Sequence, residues 1–297
     1  MFNVFKINKR IKSTQVIVKW YIVFFLLGLF FLIIFPVKIQ SKRSYTKRTQ
    51  TFFQISEFTK TEFCSEPIPF YRPNVQSGLK SEYLKINTHN ACLALKPSIE
   101  KWVPILLPIF KSYDIPEDLF YAVFAESQLT NTISPAGAKG FWQFMETTGK
   151  QYGLQIDSLI DERLNPVKST QSAARFFKDS KMYFSSWVMV LASYNMGIEG
   201  VKKLILKQQT EDFFKLKLNS ETRTFIYKII VYKEMVTSMN VSNRTKIKTQ
   251  SIQIKKDTEA QIIANKLKVN IETFTALNPW ILTNLIPARA KPYDFIY

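Results

Sequence analysis

A glutamate that closes an apolar helical run is placed to act as a proton donor, and IPEDLFYAVFAES at 115–127 sets Glu126 in that position. Pro116 suits a first helical position, and Leu119, Val123 and Glu126 stand at i, i+4 and i+7, so the carboxyl shares a face with residues that seek burial. Burial disfavours the charged form of a carboxylic acid, and a proton retained near neutrality is what protonation of a glycosidic oxygen requires. An amphipathic helix ending in an exposed Glu has the same spacing, so the neighbours decide. Ser127 follows the acid, Gly137, Ala138 and Gly140 form a GAKG turn, and Trp142, Gln143, Phe144 and Met145 crowd aromatic, amide and thioether groups after it. Such a set suits a sugar, which needs amide hydrogen bonds to hydroxyl and acetamido groups and apolar faces against ring carbons. Further on, ASYNMGIEGV at 192–201 brings Tyr194 and Asn195.

From Glu126 to Leu154 the chain reads ESQLTNTISPAGAKGFWQFMETTGKQYGL, which resembles the catalytic signature of lytic transglycosylases. The Tyr194–Asn195 segment matches that family's third motif, and DERLNPVKSTQSAARFF at 161–177 and ETRTFIYKI at 221–229 are similar to its membrane-bound D type. The resemblance covers about 86–297. It implies a mainly α, lysozyme-like catalytic domain that cuts peptidoglycan between N-acetylmuramic acid and N-acetylglucosamine and leaves 1,6-anhydro ends, without metal or cofactor. It implies Glu126 as the single catalytic residue and Ser127, Ser134, Gln143, Met145, Tyr194 and Asn195 as the substrate-binding set, with Tyr194 also hydrogen-bonding the Glu126 carboxyl. Many relatives have one residue more between the Glu and the motif's Ser than the seven between Glu126 and Ser134. A water-using muramidase is the runner-up and needs a second carboxylate, for which Glu146, Asp157 and Asp161 are candidates. A non-catalytic glycan-binding scaffold is the third reading; its signature would be loss of the acid, whereas Glu126, Gln143 and Tyr194 are all present.

Charge excludes a different class. The formal net charge is +18, yet residues 1–48 hold ten Lys and Arg and no acid, while 97–200, around the motifs, hold nine basic and eleven acidic residues. A nucleic-acid groove requires the opposite distribution. Residues 201–256, with thirteen basic and four acidic residues, suit a surface facing anionic envelope polymers or lipid, or a solvated basic face. Trp20 to Val37 is an uncharged apolar stretch bracketed by Lys19 and Lys38. As a helix it spans roughly 27 Å, about one hydrocarbon core. No Ala precedes Ala91, so a small-residue cleavage site is missing and an uncleaved single-pass anchor is expected. Five basic residues flank it closely on each side, so orientation rests on the resemblance alone, which puts the carboxyl side in the periplasm or outside the cell. The partners so implied are peptidoglycan glycan strands and, through the anchor, membrane lipid.

Cys64 and Cys92 allow one disulfide in an oxidising compartment. With His89 they offer three zinc ligands but no activating carboxylate nearby, and no metal site is expected.

The elements follow from composition. A basic segment at 1–19 and the anchor at 20–37 lead to a stretch at 38–85, rich in Lys, Ser, Thr and Pro, that reads as a tether. The catalytic domain is expected at 86–245. Ile99, Val103 and Phe110 repeat at helical spacing, with Pro104 and Pro108 expected to bend that helix, and Ser169 and Thr170 are expected to cap another. The segment 246–297 resembles a LysM glycan-binding repeat: an alternating strand, a helix from Thr258, a second helix in NIETFTALNP, and a closing strand in YDFIY at 293–297. Lys256 stands where that repeat usually has Gly, so 246–297 reads either as a small α+β binding module or as a structural extension.

Overall fold

A computed structural model of the protein describes residues 62–86, 89–239 and 246–297. The expected anchor at 20–37 lies outside the described residues, and among these no helix is long and apolar enough to cross a membrane. The mainly helical expectation is met.

Residues 62–86 depart from the tether reading. A two-residue antiparallel pair, β1 (Glu62–Phe63) and β2 (Glu66–Pro67), is followed by helix α1 (Pro73–Ile86). Val75, Leu79, Tyr83 and Ile86 form a buried stripe at helical spacing, and they join the main core. Helix α2 (His89–Lys111) carries Pro97, Pro104 and Pro108 within one continuous helix. Cys64, at the turn of the first pair, is buried and free with φ of 54°, and its amide donates to Asp118 Oδ2 at 2.6 Å. Burial raises its thiol pKa, and Asp118 and Glu66 add to that.

The segment expected as one helix over 115–127 begins as a 3-10 turn (Glu117–Tyr121) and becomes α3 (Ala122–Glu126). Helix α4 (Glu146–Gln151) precedes α5 (Pro166–Ser180), where the expected cap moves upstream. Asn165 accepts from the Val167 and Lys168 amides, Pro166 takes the first turn, and Ser169 and Thr170 instead bond back to carbonyls of Asn165 and Pro166. Helices α6 (Trp187–Met196), α7 (Ile198–Gln208) and α8 (Ser220–Ser238) complete the large core. Helix α8 is its spine, packed on α1, α3 and α6.

A second core is built from the C-terminal segment. Strand β3 (Thr249–Ile252) pairs antiparallel with β6 (Tyr293–Ile296), and β4 (Thr258–Glu259) with β5 (Leu285–Ile286), around α9 (Ala260–Lys266) and α10 (Ile271–Leu277). Phe274, Trp280, Tyr293 and Phe295 fill it, and Ile160 of the preceding helical region is buried with them. All of these elements belong to one compact unit.

Gly78 of α1 faces Tyr227 of α8, where an added Cβ would lie 2.1 Å from the buried ring's Cε2. We expect Gly78→Ala to cost about 1–3 kcal/mol through overpacking, read as a lower melting temperature of the purified protein.

Candidate active site

Glu126 is the last residue of α3, whose Ala122, Val123 and Phe124 are buried. The chain reverses at once: Ser127 and Gln128 amides close the helix on Val123 and Phe124 carbonyls, and Gln128 and Leu129 adopt φ of 54° and 59°. Glu126 is half-buried. Burial pushes its carboxyl up to about 8, Glu221 adds to the rise by like-charge repulsion, and Lys228 opposes it.

The residues after the acid build a loop over 131–145, stitched by short antiparallel bridges between Ile133 and Lys139 and between Lys139 and Phe144. Trp142 anchors it. That ring is fully buried, stacks on Phe110 at 5.4 Å and donates from Nε1 to Thr170 Oγ1 at 2.8 Å. Phe144 is buried as well, so neither aromatic is free to lie on a sugar. Gln143 and Met145 alternate with them outward; Met145 is 47% exposed. Gln143 takes φ of 50°, and its Nε2 donates to the Gly140 and Thr132 carbonyls, which leaves Oε1 as the amide end able to accept from a ligand.

The remaining expected residues fall in three places. Ser127 is buried, with Oγ donating to Phe141 O at 2.7 Å, so it ties α3 to the loop and does not face a groove. Ser134 Oγ accepts from Ala138 N at 3.0 Å inside the turn and keeps its own hydrogen to donate. Asn195 Oδ1 accepts from Thr222 Oγ1, joining α6 to α8. Tyr194 donates its single hydroxyl hydrogen to Trp142 O at 2.7 Å, so a hydrogen bond with the Glu126 carboxyl would use the acid's proton as the donor. Its ring lies 5.0 Å from those of both Phe176 and Phe177, and burial, then the Glu126 charge, raise the hydroxyl's pKa well above 10. The phenol therefore stays neutral beside the acid, and its oxygen keeps the capacity to accept a hydrogen bond.

The three carboxylates named for a second role are each engaged by other partners. Glu146 is paired with Lys150 at 2.6 Å, which draws it below the usual range. Asp157 folds onto the amides of Leu159 and Ile160. Burial pushes Asp161 up, but hydrogen bonds from Arg163 and Lys139 outweigh it and hold the carboxyl low. Glu221 and Lys228, which sequence reasoning left without a role, are the charged residues that do act on Glu126. They stand seven apart on α8, a spacing that shares one helix face, and Gln128 Nε2 reaches the same helix at Tyr232 OH, 2.9 Å away.

Residues 109–217 match the family of the transglycosylase SLT domain. The match contains Glu126, Gln143 and Tyr194, and supports the family resemblance read from the motifs. Over 165 residues the chain is 28% identical to membrane-bound lytic murein transglycosylase D of Escherichia coli K12, and equally so to that of strain CFT073. That alignment covers 53% of this chain and 36% of each relative, so the chain spans about a third of the length of the relatives it matches.

Glu126 must be protonated to act as an acid, so activity is expected to fall as pH rises through about 8. Glu221→Gln removes a like charge and should move that limb down by about 0.5–1 unit, whereas Lys228→Gln should move it up. The fold is linked to the same proton. A folded-state pKa raised above the ordinary 4.5 contributes stability that is complete below about 4.5 and is lost as pH rises to about 8. Glu126→Gln should therefore melt above the wild type near pH 8, with the gap closing as pH falls toward 4.5.

Proposed function

We propose that this protein is a lytic transglycosylase that cleaves peptidoglycan between N-acetylmuramic acid and N-acetylglucosamine. The observation that carries the reading is Glu126: a half-buried carboxyl, held protonated near neutrality, at a helix end beside a loop offering Gln143 and Met145, inside the stretch matched by the SLT domain. Glu126 protonates the leaving glycosidic oxygen as the bond from C1 of the muramic acid breaks. The carboxylate then takes the proton of that sugar's own 6-hydroxyl, whose oxygen closes on C1. Acid and base are thus one residue, returned to its starting state, and no water is consumed. Met145 offers its thioether to a ring face and Gln143 accepts from a hydroxyl or acetamido N–H. Tyr194 keeps the Trp142 carbonyl, and with it the loop, in register with the acid.

The apolar stretch at 20–37 anchors the chain in the membrane in this reading, with the catalytic side facing the periplasm or cell exterior. The membrane-bound description of the matched relatives supports it.

Full-length protein in detergent, given purified murein, should release fragments with anhydro-muramic ends, each lighter by one water than the corresponding reducing end. Glu126→Gln should remain folded and lose at least about a thousandfold in rate, since it keeps shape but not the donor. Reducing ends would instead favour the muramidase, and Glu221 is then the carboxylate to examine because its charge reaches Glu126. In the anhydro route Glu221→Gln changes the plateau rate by less than about tenfold; in a two-carboxylate route it is as damaging as Glu126→Gln.

A further inference from the structure

The loop over 131–145 is stitched by its own bridges, yet residues 131–133 and 135–137 are exposed, and its largest buried side chains, Phe141, Trp142 and Phe144, lie at its far end. The strip 159–165 braces it from outside. Arg163 Nη1 donates to Gly137 O at 3.1 Å and to Phe144 O at 3.4 Å, Asn131 Nδ2 donates to Leu164 O at 3.0 Å, and Lys139 Nζ meets Asp161 Oδ2 at 3.1 Å. Gly140, with φ of 81°, lies so close that a Cβ there would sit 1.8 Å from Arg163 O. Asp161 organises the strip: its buried carboxylate accepts from Arg163 Nε at 2.9 Å and Nη2 at 2.8 Å, a bidentate pair that fixes the guanidinium plane.

The other side of the strip is held by the C-terminal segment. Asp161 N donates to Trp280 O and Leu282 N to Leu159 O, with Ile160 bridged to Ile281 and buried among the segment's aromatics. Arg289 Nη1 donates to Glu162 Oε1 at 2.8 Å, and Lys168 pairs with Asp294 at 2.6 Å. One short strip is therefore a shared wall, with the loop on one face and the segment on the other.

We propose that Asp161 and Arg163 are positioning residues through which the C-terminal segment sets the loop that binds the glycan, so that substrate affinity depends on the segment packed against the strip. This rests on the transglycosylase reading for the identity of the ligand. The coupling is carried by hydrogen-bonded backbone and a bidentate ion pair, a rigid link in which a small displacement at the strip moves Gln143 and Met145 together.

The test uses full-length protein in detergent and a purified muropeptide tetrasaccharide, with binding measured on the Glu126→Gln background and turnover on the active protein. Arg163→Lys keeps the charge beside Asp161 but shortens the reach to Gly137 and Phe144. It should raise Kd and KM about tenfold, change kcat by less than about threefold, and leave the alkaline limb of kcat in place. Arg289→Met, which alters only the segment's side of the wall, should raise both constants in the same direction by about threefold. If both variants melt cooperatively yet bind as tightly as their parent, the proposal is overturned. A fall in kcat with a moved alkaline limb and unchanged KM also overturns it, since the strip would then act on the acid. Should Arg163→Lys fail to fold, Arg289→Met and Lys139→Gln, whose side chains lie nearer the surface, decide alone. Absence of turnover in the wild type alongside the Kd changes would sink the transglycosylase reading and leave the coupling standing.

Discussion

Keeping one ionisable carboxyl away from water is the constraint around which this fold is arranged. A helix of five residues is too short to persist alone, so α3 exists because Ala122, Val123 and Phe124 are buried against α8 and the 3-10 turn before it. The same burial that stabilises the helix penalises a charge at its end. Lys228 tempers that penalty and Glu221 enlarges it, and both ride on α8. The acid's proton affinity is accordingly a property of how two helices pack, since any shift of α8 alters both charges at once.

The loop after the acid shows how a motif rich in aromatics divides its labour. Burial alternates through Trp142, Gln143, Phe144 and Met145, so two residues seat the loop in the core while two face outward. Trp142 anchors three neighbourhoods at once: its ring meets α2 at Phe110, its indole N–H meets α5 at Thr170, and its carbonyl meets α6 at Tyr194. The outward pair inherits that rigidity without taking part in the packing.

Local patterns made much of this legible in the sequence. The acid at the end of an apolar run, the turn glycines and the alternating closing strand at 293–297 all express themselves within a few residues. What escaped was non-local or masked by composition. Glu221 and Lys228 lie far along the chain from Glu126, and nothing in their spacing announces the contact that helix packing creates. Trp142 and Phe144 suit a sugar by type, and their burial depends on where Phe110, Phe177 and Tyr194 come to rest. Over 38–85 the prolines and lysines suggested a tether, although Val75, Leu79 and Tyr83, now in α1, already carried a helical stripe; three local breakers outweighed a period that tertiary packing rewards. Tyr194 was given the right neighbourhood, but its donor bond to the Trp142 carbonyl, two helices away, was not legible from the motif.

The buried Cys64 carries a consequence for its reactivity toward oxidants and disulfides. Disulfide exchange and oxidation proceed through the thiolate, and this sulfur is held as a thiol by burial and by the acids around it. Its backbone is fastened in a left-handed turn by Asp118, which is itself pinned by Lys233 at 2.7 Å, so the sulfur is not readily swung outward to an attacker. An unpaired cysteine in such a site is chemically quiet. Exposure to thiol reagents would report local opening of the β1–β2 turn well before it reported any failure of the helical core, making this residue a native gauge of how firmly the amino-terminal side of the fold is closed.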